Sequence, residues 1–259
     1  MKGKKAFFFD IDGTLTRSGK MPQSTVFSLK RLNHMGFLVF ICTGRPYHYA
    51  YEHYHQYADG FITSNGRYIV YEDEVLLDKP LEKSQIQYCM DVMRKYHCGF
   101  GIIDQDKGFL EVHDETMREE MMTAYYPGYY RTEYNDEDVS GYMFDVYFSN
   151  HEDFENVQKE FEGTVILNEH YPHPSADATV LGVDKGYGID HILNQFHIDK
   201  ENSFAFGDGA NDLCMFHHVG HGIAMGNAID SLKEVAEYVT TSIDDDGIYR
   251  ALIHYEVID

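Results

Sequence analysis

Residues 6–16 read AFFFDIDGTLT and decide the fold of this chain. Four consecutive apolar residues are typical of a strand that is buried on both faces of a parallel sheet. Two carboxylates, Asp10 and Asp12, follow as this strand ends, and Gly13 lets the backbone turn sharply and approach a ligand. The carboxyl ends of parallel strands form the crevice in which α/β proteins bind ligands. The stretch therefore predicts a buried strand with two acidic side chains at the ligand-binding edge of a sheet.

Other apolar runs end in the same way, in a polar residue or a glycine. They are residues 37–42, 60–62, 203–206 and 222–225. Helical patterns lie between the runs, at residues 22–35, 189–196 and 248–255, and Pro46 fits the first position of another helix. Strands that alternate with helices predict an α/β fold with a Rossmann-like core built on a parallel sheet.

The middle of the chain has a different pattern. Residues 99–104 and 109–113 flank a turn and predict a β-hairpin, and helical patterns lie between the paired strand-like runs. We interpret residues 82–181 as an α+β domain inserted into the α/β domain. The α/β domain then consists of residues 1–81 and 182–259.

Composition and charge limit the classes of partner. The 259 residues are 43% apolar, and no segment approaches the run of about 20 apolar residues in a membrane helix. Asp10 and Asp12 interrupt the N-terminal apolar run too early for a signal peptide, so we expect a cytoplasmic protein. The formal net charge of −22 repels nucleic acid and anionic membranes and disfavours both as general partners. The same negative charge repels phosphorylated small molecules, so a site for one of them would need a cation. The composition leaves the oligomeric state open.

The acidic pair at the end of the first strand suits phosphoryl transfer. A carboxylate such as that of Asp10 can attack phosphorus and form an acyl phosphate, and a neighbouring acid such as Asp12 can protonate the leaving oxygen. The pair alone fits a strand end with two solvated aspartates equally well. The complete string DIDGTLT, residues 10–16, is more specific. It resembles the first motif of the haloacid dehalogenase superfamily.

Three further motifs that this resemblance requires follow in the right order. Thr43-Gly44-Arg45 follows the second strand, where a hydroxyl and free amides can bind phosphate, although Thr43 would also serve as an ordinary helix N-cap. Lys185 begins a later helix, where a bound phosphate would explain a cation near the positive end of the helix dipole. The alternative is an exposed surface lysine. The string GDGAND, residues 207–212, follows another strand, and its alternative is an ordinary turn.

The resemblance implies a role for each of these residues. The catalytic residues implied are Asp10 and Asp12. The phosphate-binding residues implied are Thr43, Gly44, Lys185 and Asn211. Mg²⁺ prefers oxygen ligands and usually binds through one or two carboxylates together with phosphate and water. We expect this cofactor on the carboxylates of Asp10 and Asp208 and the main-chain carbonyl of Asp12, with Arg45 and Asp212 as accessory candidates.

The inserted block is similar to a type C2 cap, and several strings resemble the Cof-type sugar phosphatases of the superfamily. These strings are residues 64–66, 182–186, 224–228 and 245–247. The resemblance implies a magnesium-dependent phosphatase that hydrolyses phosphate monoesters of small metabolites, such as sugar phosphates, through an aspartyl-phosphate. It also implies a cap that closes over the site and selects the substrate. His170, His173 and Asp177 are candidates for contact with the substrate, because they lie in a polar stretch near the return to the core. Two alternatives stay open: a phosphotransferase similar to phosphomannomutases, and a non-catalytic sensor of phosphorylated ligands.

Overall fold

The computed structural model describes residues 4–123, 128–170 and 173–259, and the chain divides into two compact units. The first unit comprises the chain up to Arg45, together with Ala50–Asp78 and Val183–Asp259. The second unit comprises Pro46–Tyr49 and Lys79–Gly182. That these units are domains with the bounds expected above stays a prediction. Within the described residues, no helix has both the length and the apolar character needed to cross a membrane.

The elements alternate between strands and helices at both ends of the chain. The chain begins with β1 (Ala6–Phe9), α1 (Gln23–His34), β2 (Leu38–Cys42), α2 (Tyr47–Tyr54), β3 (Gly60–Thr63), β4 (Tyr68–Tyr71) and β5 (Glu74–Asp78). The middle contains α3 (Lys83–Lys95), β6 (Gly99–Ile103), β7 (Gly108–Glu111), α4 (Glu115–Thr123), β8 (Tyr130–Arg131), β9 (Met143–Tyr147), α5 (His151–Glu160), β10 (Val165–Glu169) and β11 (Ser175–Val180). The chain continues with α6 (Lys185–Gln195), β12 (Ser203–Gly207), α7 (Leu213–His218), β13 (His221–Ala224), α8 (Asp230–Val235), β14 (Tyr238–Val239) and α9 (Gly247–His254).

The first unit is built on an eight-stranded sheet in the order β14-β13-β12-β1-β2-β3-β4-β5. The strands from β14 to β3 are parallel to one another, which confirms the predicted α/β fold with a parallel core. Each of the predicted apolar runs contributes one of these strands. The helix that was expected to begin at Pro46 begins one residue later, at Tyr47, whose N–H donates to the side chain of Gln105 at 2.8 Å.

The sequence patterns do not predict the last two strands of this sheet. Strand β4 pairs antiparallel with β3, β5 pairs antiparallel with β4, and a tight turn joins β4 to β5. Both turn residues, Glu72 and Asp73, have positive φ values of 46° and 64°. Two-residue hairpin turns need such values and favour Asn, Asp or Gly for them, so Glu72 departs from the usual sequence signal.

Strand β1 lies in the middle of the sheet and sets the position of its polar end. Its residues Ala6–Phe9 are completely buried and pair in register with β12 on one side and β2 on the other. The rings of Phe9 and Phe206 stack at 4.8 Å between centroids. The N–H of Asp10 then donates to the carbonyl of Phe206 at 3.1 Å. The parallel register of β1 and β12 therefore brings Asp10 and the residues that follow β12 to the same edge.

The second unit contains a six-stranded sheet in the order β10-β11-β9-β6-β7-β8. Strands β6 and β7 form the predicted antiparallel hairpin, whereas β7 and β8 are parallel. Helices α3 and α5 pack with this sheet through a cluster of buried apolar side chains that includes Met90, Phe100 and Phe144. The unit thus has the α+β composition expected of the inserted block.

Candidate active site

Three carboxylates meet at the carboxyl ends of β1 and β12. Asp10 follows β1 and is 7% exposed, and Asp208 and Asp212 follow β12. One oxygen from each of these three side chains lies within 4.8 Å of the others. Asp10 is about 200 residues away from Asp208 and Asp212 in the sequence, and the pairing of β1 with β12 brings the three side chains together.

Lys185 is the cation of this cluster, and it is not the exposed surface lysine that was the alternative. Its side chain has no solvent exposure, although it begins helix α6. Its Nζ lies 2.7 Å from Oδ1 of Asp10 and 2.7 Å from Oδ1 of Asp212. Asp184 caps the helix by accepting the N–H of Tyr187 at 2.9 Å. The helix start therefore delivers a buried ammonium group between two buried carboxylates.

The electrostatics of the cluster are dominated by burial and by like charges. Burial favours the neutral form of Asp10, and although Lys185 opposes this, the pKa of Asp10 lies well above its usual value. Burial also opposes the charge on Lys185, but the carboxylates of Asp10 and Asp212 outweigh it and hold the pKa of the lysine well above its usual value. Burial and the neighbouring Asp212 raise the pKa of Asp208 to about 6. The site is thus short of positive charge.

Asp212 holds both the lysine and the loop that carries Asp208. While its Oδ1 accepts from Lys185, its Oδ2 accepts the N–H groups of Asp208 and Gly209, each at 2.9 Å. All of these bonds are charge-assisted, which makes them stronger than bonds between neutral groups. Asp212, which the sequence suggested only as an accessory residue, therefore orders the centre of the site.

Asp12 and Arg45 form an ion pair beside the buried cluster. Nε of Arg45 lies 2.9 Å from Oδ2 of Asp12, and one terminal nitrogen lies 3.2 Å from Oδ1. This bidentate contact fixes the plane of the carboxylate as well as its position. The Asp12 side chain is 60% exposed, so a ligand or water can reach it. The structure thus brings the accessory candidate Arg45 to Asp12.

Thr43 and Gly44 lie at the carboxyl end of β2. Thr43 is buried, its N–H donates to the carbonyl of Ile62 at 2.9 Å, and its hydroxyl accepts the N–H of Arg45 at 3.1 Å. The hydroxyl keeps its own proton to donate. Because α2 begins only at Tyr47, Thr43 does not act as the N-cap of that helix.

The loop Ser64–Gly66 contacts two of the motifs, and the sequence did not suggest this role. The N–H of Ser64 donates to the carbonyl of Arg45 at 3.2 Å, and the N–H of Asn65 donates to the carbonyl of Thr43 at 3.1 Å. Gly66 has a φ of +94°, and a Cβ there would lie 1.9 Å from the carbonyl oxygen of Asp184. The loop therefore separates the Thr43 segment from the start of helix α6 and sets their spacing. Only the string SNG itself, which resembles the Cof-type proteins, could have drawn attention to it.

The remaining candidates have the following surroundings. Asn211 is half-buried in the short turn Ala210–Asp212, next to Asp212. In the second unit, Nε2 of His170 lies 3.3 Å from Oδ1 of Asp177, and the ring of His173 meets that of Tyr147 edge-on at 6.5 Å. The roles of all these residues stay predictions.

The donor set of the cluster suits a small divalent cation. Within the part of the chain that the structure describes, three carboxylates face one ammonium group, so the four groups carry a net charge of −2 when all are ionised. Hard oxygen ligands of this type are those that Mg²⁺ prefers, and one or two carboxylates are its usual protein ligands. The residues present therefore fit such an ion on chemical grounds.

Sequence comparison finds relatives along nearly the whole chain. The sequence model of the haloacid dehalogenase-like hydrolase family matches residues 7–252. YkrA of Bacillus subtilis (strain 168) is 30% identical over 256 residues, which cover 96% of each chain. The 5-amino-6-(5-phospho-D-ribitylamino)uracil phosphatase YitU of the same organism is 26% identical over 257 residues, which cover 95% of each chain.

Comparison with solved structures gives the same result. A sugar phosphatase of haloacid dehalogenase subclass IIB superimposes with a TM-score of 0.83 at 29% sequence identity. The match covers 98% of this chain and all of the other. The similarity therefore includes both the parallel-sheet unit and the inserted unit.

Proposed function

This chain belongs to the haloacid dehalogenase-like hydrolases, and from that premise we propose that it is a magnesium-dependent phosphatase that acts through an aspartyl-phosphate on Asp10. The observation that carries the proposal is the buried contact between Lys185 and Asp10, inside a cluster of three carboxylates. A nucleophilic carboxylate beside a fixed ammonium group and further acidic oxygens suits attack on a phosphate ester.

In the first step, a carboxylate oxygen of Asp10 attacks phosphorus in line with the ester oxygen. The P–O bond to the alcohol breaks as the bond to Asp10 forms, and Asp12 gives its proton to the leaving oxygen. Lys185 stabilises charge on the transferred group and holds Asp10 in place. Arg45 orients Asp12 through its bidentate contact.

In the second step, water attacks the phosphorus of the aspartyl-phosphate. Asp12, now ionised, accepts a proton from this water, and the P–O bond to Asp10 breaks to release phosphate. The Thr43 hydroxyl, the Gly44 amide and the Asn211 side chain bind the phosphate oxygens. Asp12 ends the cycle protonated and ready for the next ester.

Asp10, Asp208 and the main-chain carbonyl of Asp12 would hold Mg²⁺. When bound, this cation neutralises charge on the phosphate and polarises its oxygens. The uncompensated charge of the three carboxylates supports this assignment. Asp212 keeps its hydrogen bonds with Lys185 and with the N–H groups of Asp208 and Gly209, and so holds the loop that carries Asp208 in place.

The substrate is proposed to be a phosphorylated small metabolite in the cytoplasm, with a sugar or polyol as the alcohol. The names of two relatives support this class. YitU is named for a phosphorylated ribityl compound, and the structural relative is a sugar phosphatase. In both, the phosphate is carried by a polyhydroxylated carbon chain.

Phosphate release tests the proposal. With Mg²⁺ present, the wild-type chain should hydrolyse p-nitrophenyl phosphate and a panel of sugar phosphates, and a chelator should stop both reactions. Asp10→Asn should lower turnover by about a thousand-fold or more, because the nearly isosteric amide is not a nucleophile. Asp91→Asn is the matched control, since Asp91 is an exposed aspartate of α3. Turnover by Asp10→Asn within about tenfold of wild type would exclude the mechanism.

Asp12→Ala separates a phosphatase from a phosphotransferase. Nitrophenol leaves readily without an acid, so the first step should survive this change better than the second, which needs a base. A burst of nitrophenol should precede slow turnover, and the intact protein should gain the mass of a phosphoryl group. In the wild type, water alone should clear this group. If it instead persists until a sugar phosphate is added, and a bisphosphate appears, the chain is a phosphotransferase.

A further inference from the structure

Asn227 links three loops around the carboxylate cluster. It lies in the turn between β13 and α8. Its Nδ2 donates to the carbonyl of Gly13 at 2.9 Å, and its Oδ1 accepts the N–H of Ile243 at 3.0 Å. The two bonds use opposite ends of the amide, so its orientation is determined. None of the chemical steps described above uses this side chain.

The Gly13 end of the link leads directly to Asp208. Gly13 has a φ of +87°, and a Cβ there would lie 2.0 Å from Oδ2 of Asp208. The next residue, Thr14, donates its hydroxyl to Oδ1 of Asp208 at 2.8 Å. Both oxygens of Asp208 thus lie against the peptide whose carbonyl Asn227 holds. The orientation of this peptide therefore determines where the Asp208 carboxylate lies relative to Asp10.

The other side of the link reaches the main chain of Asp208. The N–H of Met225 donates to the carbonyl of Gly207, and the N–H of Ile229 donates to the carbonyl of Asp208, both at 3.0 Å. The turn that carries Asn227 is therefore bonded to the strand end that carries Asp208. Asp208 is thus held from two sides. Its main chain bonds to the turn that carries Asn227, and its carboxylate bonds to Thr14, which follows the Gly13 carbonyl that Asn227 holds.

We propose that Asn227 is a positioning residue that sets the geometry between the carboxylates of Asp10 and Asp208, and thereby the affinity for the divalent cation. The inference rests on the proposed function, because it takes these carboxylates as ligands. Mg²⁺ demands nearly ideal octahedral geometry, so a small shift of one carboxylate weakens binding. Side chains that hold ligands in place are typically worth 10–100-fold in metal affinity. An asparagine suits the task because it offers a donor to Gly13 and an acceptor to Ile243 at once.

Binding of Mn²⁺ in the absence of substrate tests the inference. Free Mn²⁺ is measured by electron paramagnetic resonance during titration of the wild type, Asn227→Ala and Asn33→Ala. Asn33 is the matched control, because its Nδ2 also donates to a backbone carbonyl, that of Tyr57 at 3.1 Å. We expect Asn227→Ala to raise the Kd for Mn²⁺ by about 10–100-fold and Asn33→Ala to leave it within about twofold of wild type.

Thr14→Val supplies a second variant that preserves side-chain shape and removes only the hydroxyl on Asp208. It should weaken Mn²⁺ binding as well. The double variant Thr14→Val/Asn227→Ala should bind Mn²⁺ only slightly less tightly than the single variant with the lower affinity, because both side chains act on the position of the same carboxylate, that of Asp208. Wild-type affinity in folded Asn227→Ala, or fully additive losses in the double variant, would overturn the inference. Failure of the wild type to bind Mn²⁺ would instead overturn the proposed metal site itself.

Discussion

Lys185→Met tests whether the buried ammonium group compensates the charge of the site. Methionine is a flexible, unbranched side chain that can fill much of the same space without a charge. In the wild type, Nζ of Lys185 is 2.7 Å from a carboxylate oxygen of both Asp10 and Asp212. The lysine and Asp212 have no solvent exposure at their side chains, and Asp10 has 10%. The substitution therefore leaves two carboxylates in a buried place without their counter-charge.

The magnitude follows from the burial of the pair. Removing one partner of a buried ion pair costs about 3–5 kcal/mol, because the remaining charge has lost its compensation. Here one cation serves two carboxylates, which would increase the loss. Protonation of Asp10 would limit the loss of stability, because burial already raises the pKa of this carboxyl group. We expect the free energy of unfolding at pH 7 to fall by about 3–5 kcal/mol in metal-free buffer.

The assay is urea unfolding followed by circular dichroism in the presence of a chelator. Lys20→Met is the control, because Lys20 is an exposed lysine of the same unit, and its loss should change stability by no more than about 0.5 kcal/mol. The double variant Lys185→Met/Asp212→Asn removes one of the opposed carboxylates as well. It should be more stable than Lys185→Met alone, with a coupling energy of about 0.5–3 kcal/mol.

Two results would refute this reasoning. One is a loss for Lys185→Met of less than about 1 kcal/mol, close to that of an ordinary surface substitution. The other is a double variant that is destabilised by the sum of the two single changes, since additive losses indicate side chains that do not interact. Either result would mean that the lysine is not the counter-charge of the buried carboxylates.

Two further predictions concern backbone contact and pH. Gly66→Ala should lower kcat/KM by about 100-fold, because the added methyl group strikes the backbone at the start of α6 and displaces the lysine there; Gly182→Ala, with a φ of +96° but open space around it, should retain activity. Arg94→Met should lower stability at pH 7 by about 1 kcal/mol, since its partly exposed contacts with Glu111 and Asp136 are screened by solvent. Arg94 lowers the pKa values of Glu111 and Asp136, so these ion pairs stabilise the fold fully above about pH 4, and this stabilisation is lost as the pH falls through the lowered pKa values. In urea unfolding, the stabilities of the wild type and Arg94→Met should therefore differ most at neutral pH and become equal in acid.

The parts of the fold that follow from local sequence were predictable. The parallel strands β1, β2, β3, β12 and β13 are apolar runs that end in a polar residue or a glycine, and such a run has few other stable environments than the interior of a sheet. The parallel edge strand β14 has only two residues, neither of them buried, and no apolar run predicts it. Strands β4 and β5 were not predicted because β5 has three exposed residues out of five and no buried one, and because Glu72 begins the turn between them. Asp73 is a usual turn residue but Glu72 is not, so the pairing of β4 with β5 is needed to specify that turn.

The sequence motifs named the residues that cluster at the sheet edge, but not their contacts. Asp10, Lys185 and Asp208 belong to motifs whose residues are adjacent in sequence, whereas the contact between Lys185 and Asp212 spans 27 residues. The contact of Asn227 with Gly13 spans 214 residues. Such contacts depend on strand order and helix placement, which a local pattern does not encode. The sequence therefore indicated which groups are present, and the fold determines which of them meet.

The phenylalanines of β1 have a consequence for how the chain can vary. Phe7, Phe8 and Phe9 are of one type and are all buried, so a slip of the strand by one position would exchange one phenylalanine for another and change the burial of apolar surface little. The same slip would turn Asp10 to the opposite face of the sheet. Burial thus tolerates an error that the position of Asp10 does not. Along this strand, substitutions among large apolar residues should be accepted, whereas insertion or deletion of a single residue should abolish activity in a protein that still folds.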